Sequence, residues 1–149
     1  MKSIKMIDIT HKSESYREAI ACGKIILRKE TIERIKCGKV EKGDVFPASQ
    51  LAAILAAKRT PELLPLCHPI PITGIDFKWK LGENYVEVQV TVRTKASTGV
   101  EMEALTATAI ALLNIWDMVK KYEKDKAGQY PWTRITDIKV ISKIKSVSK

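Results

Sequence analysis

The stretch IDFKWKLGENYVEVQVTV, residues 75–92, decides the fold. In its first half Ile75, Phe77, Trp79 and Leu81 alternate with Asp76, Lys78 and Lys80; in its second, Val86, Val88, Val90 and Val92 alternate with Glu87, Gln89, Thr91 and the following Arg93. Successive side chains of a strand point to opposite faces, so a period of two sets an apolar face against a polar one. Gly82-Glu83-Asn84 supplies the reversal between the halves. The stretch reads as an antiparallel hairpin with one face buried.

Outward from the hairpin the period changes. After Ser97-Thr98-Gly99 a helix is expected to about residue 122, and beyond the turn at 128–131 a last strand over about 133–142. Upstream, residues 16–29 suit a strand, with Ile20, Cys22 and Ile26 on one face and Ala19, Ala21, Ile25 and Leu27 on the other, both partly covered. A short helix over about 30–36 ends at Gly38. A second, over about 44–59, carries Leu51, Ile54 and Leu55 at helical spacing, holds Pro47 in its first turn, and is stopped by Thr60-Pro61. Strand, helices, strand, strand, helix, strand is the split βαβ order. The fold class is therefore α+β and ferredoxin-like, a four-stranded antiparallel sheet with helices packed on one face. No repeat or linker divides the chain. Residues 1–149 read as one domain, with 1–14 and 143–149 as candidate flexible ends.

The long helix carries a stripe of Met102, Leu105, Ala109, Leu112, Leu113, Trp116 and Val119, while Ala104, Ala107, Ala111, Ile115 and Met118 occupy the opposite side. No charged residue falls between Glu103 and Asp117. A helix apolar all round must be buried all round, and one sheet covers one side, so a second chain is the expected cover. The protein should be an oligomer.

The composition bounds the function classes. The 149 residues include 26 Lys and Arg against 17 Asp and Glu, net +9, and 45% are hydrophobic. Residues 1–119 carry 17 basic and 14 acidic groups, net +3, and the last 30 carry 9 and 3, net +6. A basic C-terminal segment suits nucleic acid or an anionic small molecule, and equally a solvated Lys-rich face. No run approaches the roughly 20 apolar residues of a membrane span, and the start lacks a signal-peptide core, so no membrane partner and a cytoplasmic location are expected. Cys22, Cys37 and Cys67 form no C-x-x-C pair; they read as reduced thiols, with neither a disulfide framework nor a metal site.

Polar residues that could carry chemistry cluster at the ends of the long helix. Glu101 and Glu103 occupy its first turn, where the dipole favours anions. Asp117 and Lys120 share a face three residues apart, either as an ordinary intrahelical ion pair or as a lysine partly desolvated and poised for proton transfer, its pKa lowered by burial and raised by Asp117. Glu103 and Asp117 are fourteen residues apart, about 21 Å along a helix, too far to serve one reacting centre from one chain. If both ends function, a second subunit brings them together. His68 lies in the Pro-bracketed Leu66-Cys67-His68-Pro69-Ile70-Pro71 and is either structural or catalytic. Lys42-Gly43-Asp44 precedes the second helix, with Asp44 as N-cap and Lys42 able to face an anion.

The segments KGDVFPASQLAAILAAKRT, LLPLCHPIPITG, TGVEMEALTATAIALLNIWDMVK and KDKAGQYPWTRITDIKV closely resemble the MoaC family, the cyclic pyranopterin monophosphate synthases of molybdenum cofactor biosynthesis, from about Met6 to Ser142. The resemblance implies a ferredoxin-like fold, a hexamer built as a trimer of dimers with sites between subunits, and conversion of 3′,8-cyclo-7,8-dihydro-GTP to cyclic pyranopterin monophosphate with release of pyrophosphate. The class is a phosphorus-oxygen lyase. No redox cofactor or nucleic-acid partner is implied. Carried over by motif, Asp117 and Lys120 are the catalytic acid/base pair, and the substrate-binding positions are Arg17, Lys42, Cys67, His68, Glu101, Met102, Glu103 and Lys143. Where many members have K-S-G-G-K-S, this chain has Lys143-Ile144-Lys145-Ser146; Lys143 matches the first lysine, and Lys126 offers a compensating charge. The alternatives are a ferredoxin-like RNA-binding module, against which no aromatic-rich RNP string is found, and a regulatory domain that binds a nucleotide without turning it over.

Overall fold

The computed structural model describes residues 1–146. In chain order the elements are β1 (Ser15–Ile26), α1 (Lys29–Lys36), α2 (Val45–Lys58), α3 (Thr60–Leu63), β2 (Ile72–Leu81), β3 (Tyr85–Ala96), α4 (Glu101–Glu123) and β4 (Arg134–Ser146). The strands form one sheet in the order β2-β3-β1-β4 with every neighbouring pair antiparallel. This is the α+β, ferredoxin-like architecture that the hairpin and the element order imply.

The hairpin sets the register. Phe77 faces Val90, Trp79 faces Val88 and Leu81 faces Val86, and the Gly82 N–H closes the turn on the Tyr85 carbonyl at 2.9 Å. Across β3 the same side continues into β1, where Ala19 meets Val92, Ala21 meets Val90 and Ile25 meets Val86. All of these β1 and β3 residues are fully buried. α4 lies on this face and buries Ala104, Ala107, Thr108, Ala111, Leu112 and Ile115, residues three and four apart along one side. Its approach is close. A Cβ on Gly23 of β1 would stand 2.8 Å from Leu112 Cδ1 of α4 and 2.9 Å from Ile138 Cγ1 of β4, so any side chain there would have to displace these neighbours.

α4 is fastened at its far end by a carboxylate. Fully buried Glu123 accepts hydrogen bonds from the Arg28 N–H at 3.2 Å, from Thr133 Oγ1 at 2.6 Å and from Thr31 Oγ1. One side chain thereby ties the helix end to α1, to the β1–α1 link and to the approach to β4. Paired this way, both oxygens of the buried side chain are satisfied.

Several expectations require correction. β1 ends at Ile26 rather than near residue 29, because Arg28 becomes the N-cap of α1 and gives its N–H to the Glu123 carboxylate instead of a neighbouring strand. α2 ends at Lys58 with Arg59 as its C-cap, as expected, but Pro61 then falls at the start of an extra turn, α3, a position where its missing donor is harmless. Leu51 and Leu55 of α2 face outward, 62% and 46% exposed, whereas Ser49, Ala53, Ala56 and Ala57 are buried and α2 packs chiefly on α4. The large apolar residues mark the wrong face because small side chains allow the closer helix contact.

That packing also alters the reading of α4. It is not covered by the sheet alone: α2 takes part of the surface assigned to a second chain, leaving Met102 and Leu113 41% and 53% exposed. By length and composition the 23 residues of α4 could cross a membrane, contrary to the sequence scan, but half of its most apolar window is buried in this fold. Residues 143–146, read as part of a flexible end, extend β4, with Lys143 opposite Ala19 and Lys145 opposite Arg17. Residues 147–149 of that end lie outside the described residues.

Candidate active site

Polar groups gather at both ends of α4. At the N-terminal end a cavity of about 340 Å³ is walled by Cys67, His68, Glu101, Met102 and Glu103, together with Thr98-Gly99 and an arm from the chain start. The arm is shaped locally: the Asp8 carboxylate accepts from the Thr10 N–H at 2.8 Å and the Thr10 hydroxyl at 2.6 Å, an Asx turn. It then passes over His68, whose Nε2 lies 2.6 Å from the Ile7 carbonyl. That contact assigns the proton to Nε2 and leaves Nδ1 as the acceptor in neutral His68.

The two glutamates of the first turn differ sharply. Burial pushes the Glu101 carboxyl up, but the Lys143 ammonium at 2.7 Å, its own backbone N–H and the nearby Arg17 outweigh this and hold it below the usual range. Glu103 is only 3% exposed, and its Oε2 has no hydrogen-bond partner among the described residues. Burial raises its pKa to about 7 against a hydrogen bond from its own N–H, and the Glu101 charge adds to the rise. Burial, then the proximity of Glu103, pushes the Cys67 thiol up as well. Arg17 reaches the Ser97 carbonyl through Nη2 at 3.4 Å. This end therefore holds one carboxylate fixed as an anion and one poised to carry a proton near neutral pH.

At the C-terminal end Asp117 joins two lysines. Its Oδ1 lies 2.9 Å from Lys120 Nζ and its Oδ2 2.9 Å from Lys42 Nζ, which also donates to the Asp117 carbonyl at 3.1 Å. Hydrogen bonds from Lys120 and Lys42 hold the Asp117 carboxyl below the usual range, and Asp117 in turn raises Lys120. Lys120 is therefore not the lysine with a burial-lowered pKa that one reading anticipated. In this chain its side chain is 46% exposed and remains an ammonium. The N-cap at Asp44 is as expected, its carboxylate accepting from the Phe46 N–H at 3.1 Å.

The structure thus brings Arg17, Cys67, His68, Glu101, Met102, Glu103 and Lys143 to one end and Lys42, Asp117 and Lys120 to the other, with about 21 Å of continuous helix between Glu103 and Asp117. Lys126 sits in the α4–β4 turn, at the opposite end of β4 from Lys143, so within one chain it does not replace the C-terminal motif. Sequence reasoning missed Ile7, Ile9, Lys12, Thr98 and Gly99 as cavity walls. The start of the resembling stretch at Met6 was the one available signal for the arm. Half-buried Trp79 stacks on Phe77 with ring centroids 6.3 Å apart and packs against Phe46 at 5.0 Å, so these rings are engaged with one another within the fold.

Comparison with known proteins gives a consistent result. A family model described as the MoaC family matches residues 6–146. A relative from Pyrococcus abyssi, named a probable cyclic pyranopterin monophosphate synthase, is 57% identical over 99% of this chain and 92% of its own length. Relatives of the same name from Sulfurisphaera tokodaii and Sulfolobus acidocaldarius are 58% and 59% identical, covering 98% and 95% of this chain and 97% and 99% of their own.

Proposed function

This chain belongs to the MoaC family, and from that premise we propose that it is a cyclic pyranopterin monophosphate synthase of molybdenum cofactor biosynthesis. The observation that carries the proposal is the near-complete coverage, at 57–59% identity, of relatives bearing that name. The substrate is 3′,8-cyclo-7,8-dihydro-GTP, and the reaction is that of a phosphorus-oxygen lyase. A substrate hydroxyl oxygen attacks the α-phosphorus, the bond to the β-phosphate oxygen breaks, pyrophosphate leaves, and the hydroxyl proton passes to a base. Ring rearrangement of the purine-derived part adds further proton transfers. The setting is cytoplasmic, and no cofactor takes part.

Each cluster suits one part of this chemistry. Lys120 and Asp117 form the acid/base pair, with Lys42 beside them as a charge for phosphate. Lys120 starts as an acid; to act as a base it must first lose its proton, which desolvation against substrate or a second subunit would favour. Glu103 and His68 shuttle protons or hold the purine-derived end, with Cys67 and Met102 lining it, while Arg17 and Lys143 complete the anion-binding surface. Because the clusters lie at opposite ends of one helix, the working site takes one from each of two protomers. A trimer of such dimers is the assembly that the family implies.

Incubating the purified protein with 3′,8-cyclo-7,8-dihydro-GTP should yield cyclic pyranopterin monophosphate and pyrophosphate in equal amounts. Binding without either product would support a nucleotide-binding regulatory domain instead.

A further inference from the structure

Lys42 reaches Asp117 from a loop, and a loop lysine with a half-exposed side chain has no intrinsic reason to stay in one place. The loop between α1 and α2 is short and sharply bent: Gly43 has φ +110°, a conformation that disfavours any other residue, and its N–H closes a turn on the Val40 carbonyl at 3.0 Å. A bend alone does not place the loop against α4, and α1, which leads into it, packs only sparsely on that helix.

The last turn of α4 supplies what the packing does not. The Glu41 N–H donates to the Tyr122 hydroxyl at 2.9 Å, and the Glu41 carboxylate pairs with Lys121. On the α1 side the Arg34 guanidinium lies over the Tyr122 ring, 4.5 Å from its centroid. Backbone and side chain of the residue immediately before Lys42 are thus both held by the two residues immediately after Lys120.

We propose that Tyr122 and Lys121 are positioning residues that clamp Glu41, and through it fix the Lys42 ammonium on Asp117, so that one carboxylate spaces two cations for an anionic group of the substrate. The catalytic reading of Asp117 and Lys120 underlies the functional half of this proposal; the clamp itself stands on the contacts alone. A freely moving Lys42 would order only on binding, so loss of the clamp weakens affinity before it affects chemistry.

The test uses the full-length protein and the variants Tyr122→Phe, Glu41→Gln and Lys42→Ala. Tyr122→Phe keeps the ring under Arg34 and removes only the acceptor oxygen. Carbon-13 NMR of the aspartates follows the Asp117 titration without reference to activity. The clamp predicts that Asp117 titrates at higher pH in Tyr122→Phe and Glu41→Gln, part of the way towards Lys42→Ala, with circular dichroism unchanged. An Asp117 titration identical to that of the unsubstituted protein in both variants overturns the clamp. Kinetics then test the functional half. Tyr122→Phe should raise KM for 3′,8-cyclo-7,8-dihydro-GTP about 3- to 10-fold, the scale of one lost positioning hydrogen bond, with kcat changed less than KM. The effect should vanish in a Lys42→Ala background. Equal KM effects with and without Lys42 would overturn the assignment of the clamp to that lysine. An unsubstituted protein with no turnover, alongside shifted Asp117 titrations, would leave the clamp standing and sink the synthase reading.

Discussion

Glu103 is a nearly buried carboxyl group with one oxygen unpaired among the described residues. The folded state holds its proton up to about pH 7, against an ordinary value of 4.5. Between those two values the native chain binds more protons than the unfolded one, so the sign is fixed: stability from this group is present at low pH and declines as pH rises through the window. At pH 8 the buried charge costs about 3 kcal/mol on this scale. Glu103→Gln should therefore flatten the pH dependence of the thermal midpoint between pH 5 and 7 and melt above the unsubstituted protein at pH 8. Parallel melting curves for the two proteins would contradict the assignment. Asp117 behaves in the opposite way. It is over half exposed, and exposed pairs contribute little to stability, so Asp117→Ala should leave the melting temperature nearly unchanged. Activity should nevertheless fall by about 10²- to 10⁴-fold, the range for loss of a positioned acid/base group. An equal loss of stability would recast the Asp117 cluster as structural. Residue type and spacing made Asp117, Lys120 and the two glutamates visible in the sequence. Which glutamate was buried was not visible, because that depends on how Lys143 and the N-terminal arm close around the first turn of α4.

At the level of elements, legibility followed the strength of the local period. The hairpin alternates without interruption over both strands and was fully readable, as was the length of α4. The inward face of α2 was not, since Ser49, Ala53, Ala56 and Ala57 make no large apolar stripe while the conspicuous Leu51 and Leu55 point to solvent. Contacts between distant segments leave still less trace. Glu123 joins Arg28 and Thr31, more than ninety positions away, to Thr133 through one buried carboxylate, and no periodicity announces it. Its removal should be felt by α4, α1 and β4 together. Glu123→Ala leaves buried donors without an acceptor, and the expected loss is about 1–3 kcal/mol for each donor left unsatisfied. Chemical denaturation should show a lower midpoint with little change in slope. A loss below about 1 kcal/mol, the net value of one ordinary hydrogen bond, would mean that water replaces the carboxylate at little cost.

For the whole molecule, the rigidity of α4 turns a sequence separation into a statement about assembly. Glu103 and Asp117 sit on one unbroken helix, so no loop motion within a chain can bring their clusters onto the same bond. If the site is shared across a two-fold dimer, each dimer contains two sites, each built from the Lys120 end of one protomer and the Glu103 end of the other. Consider Lys120→Ala and Glu103→Gln, each inactive alone, unfolded together and refolded as a mixture. Random pairing makes half of the dimers mixed, and every mixed dimer has one site free of substitutions and one carrying both. Roughly a quarter of the activity of the unsubstituted protein should therefore return, whereas a site contained in one chain would recover none. The recovered fraction should vary with the mixing ratio and peak at equal amounts, because two sites sharing two chains are counted by pairs.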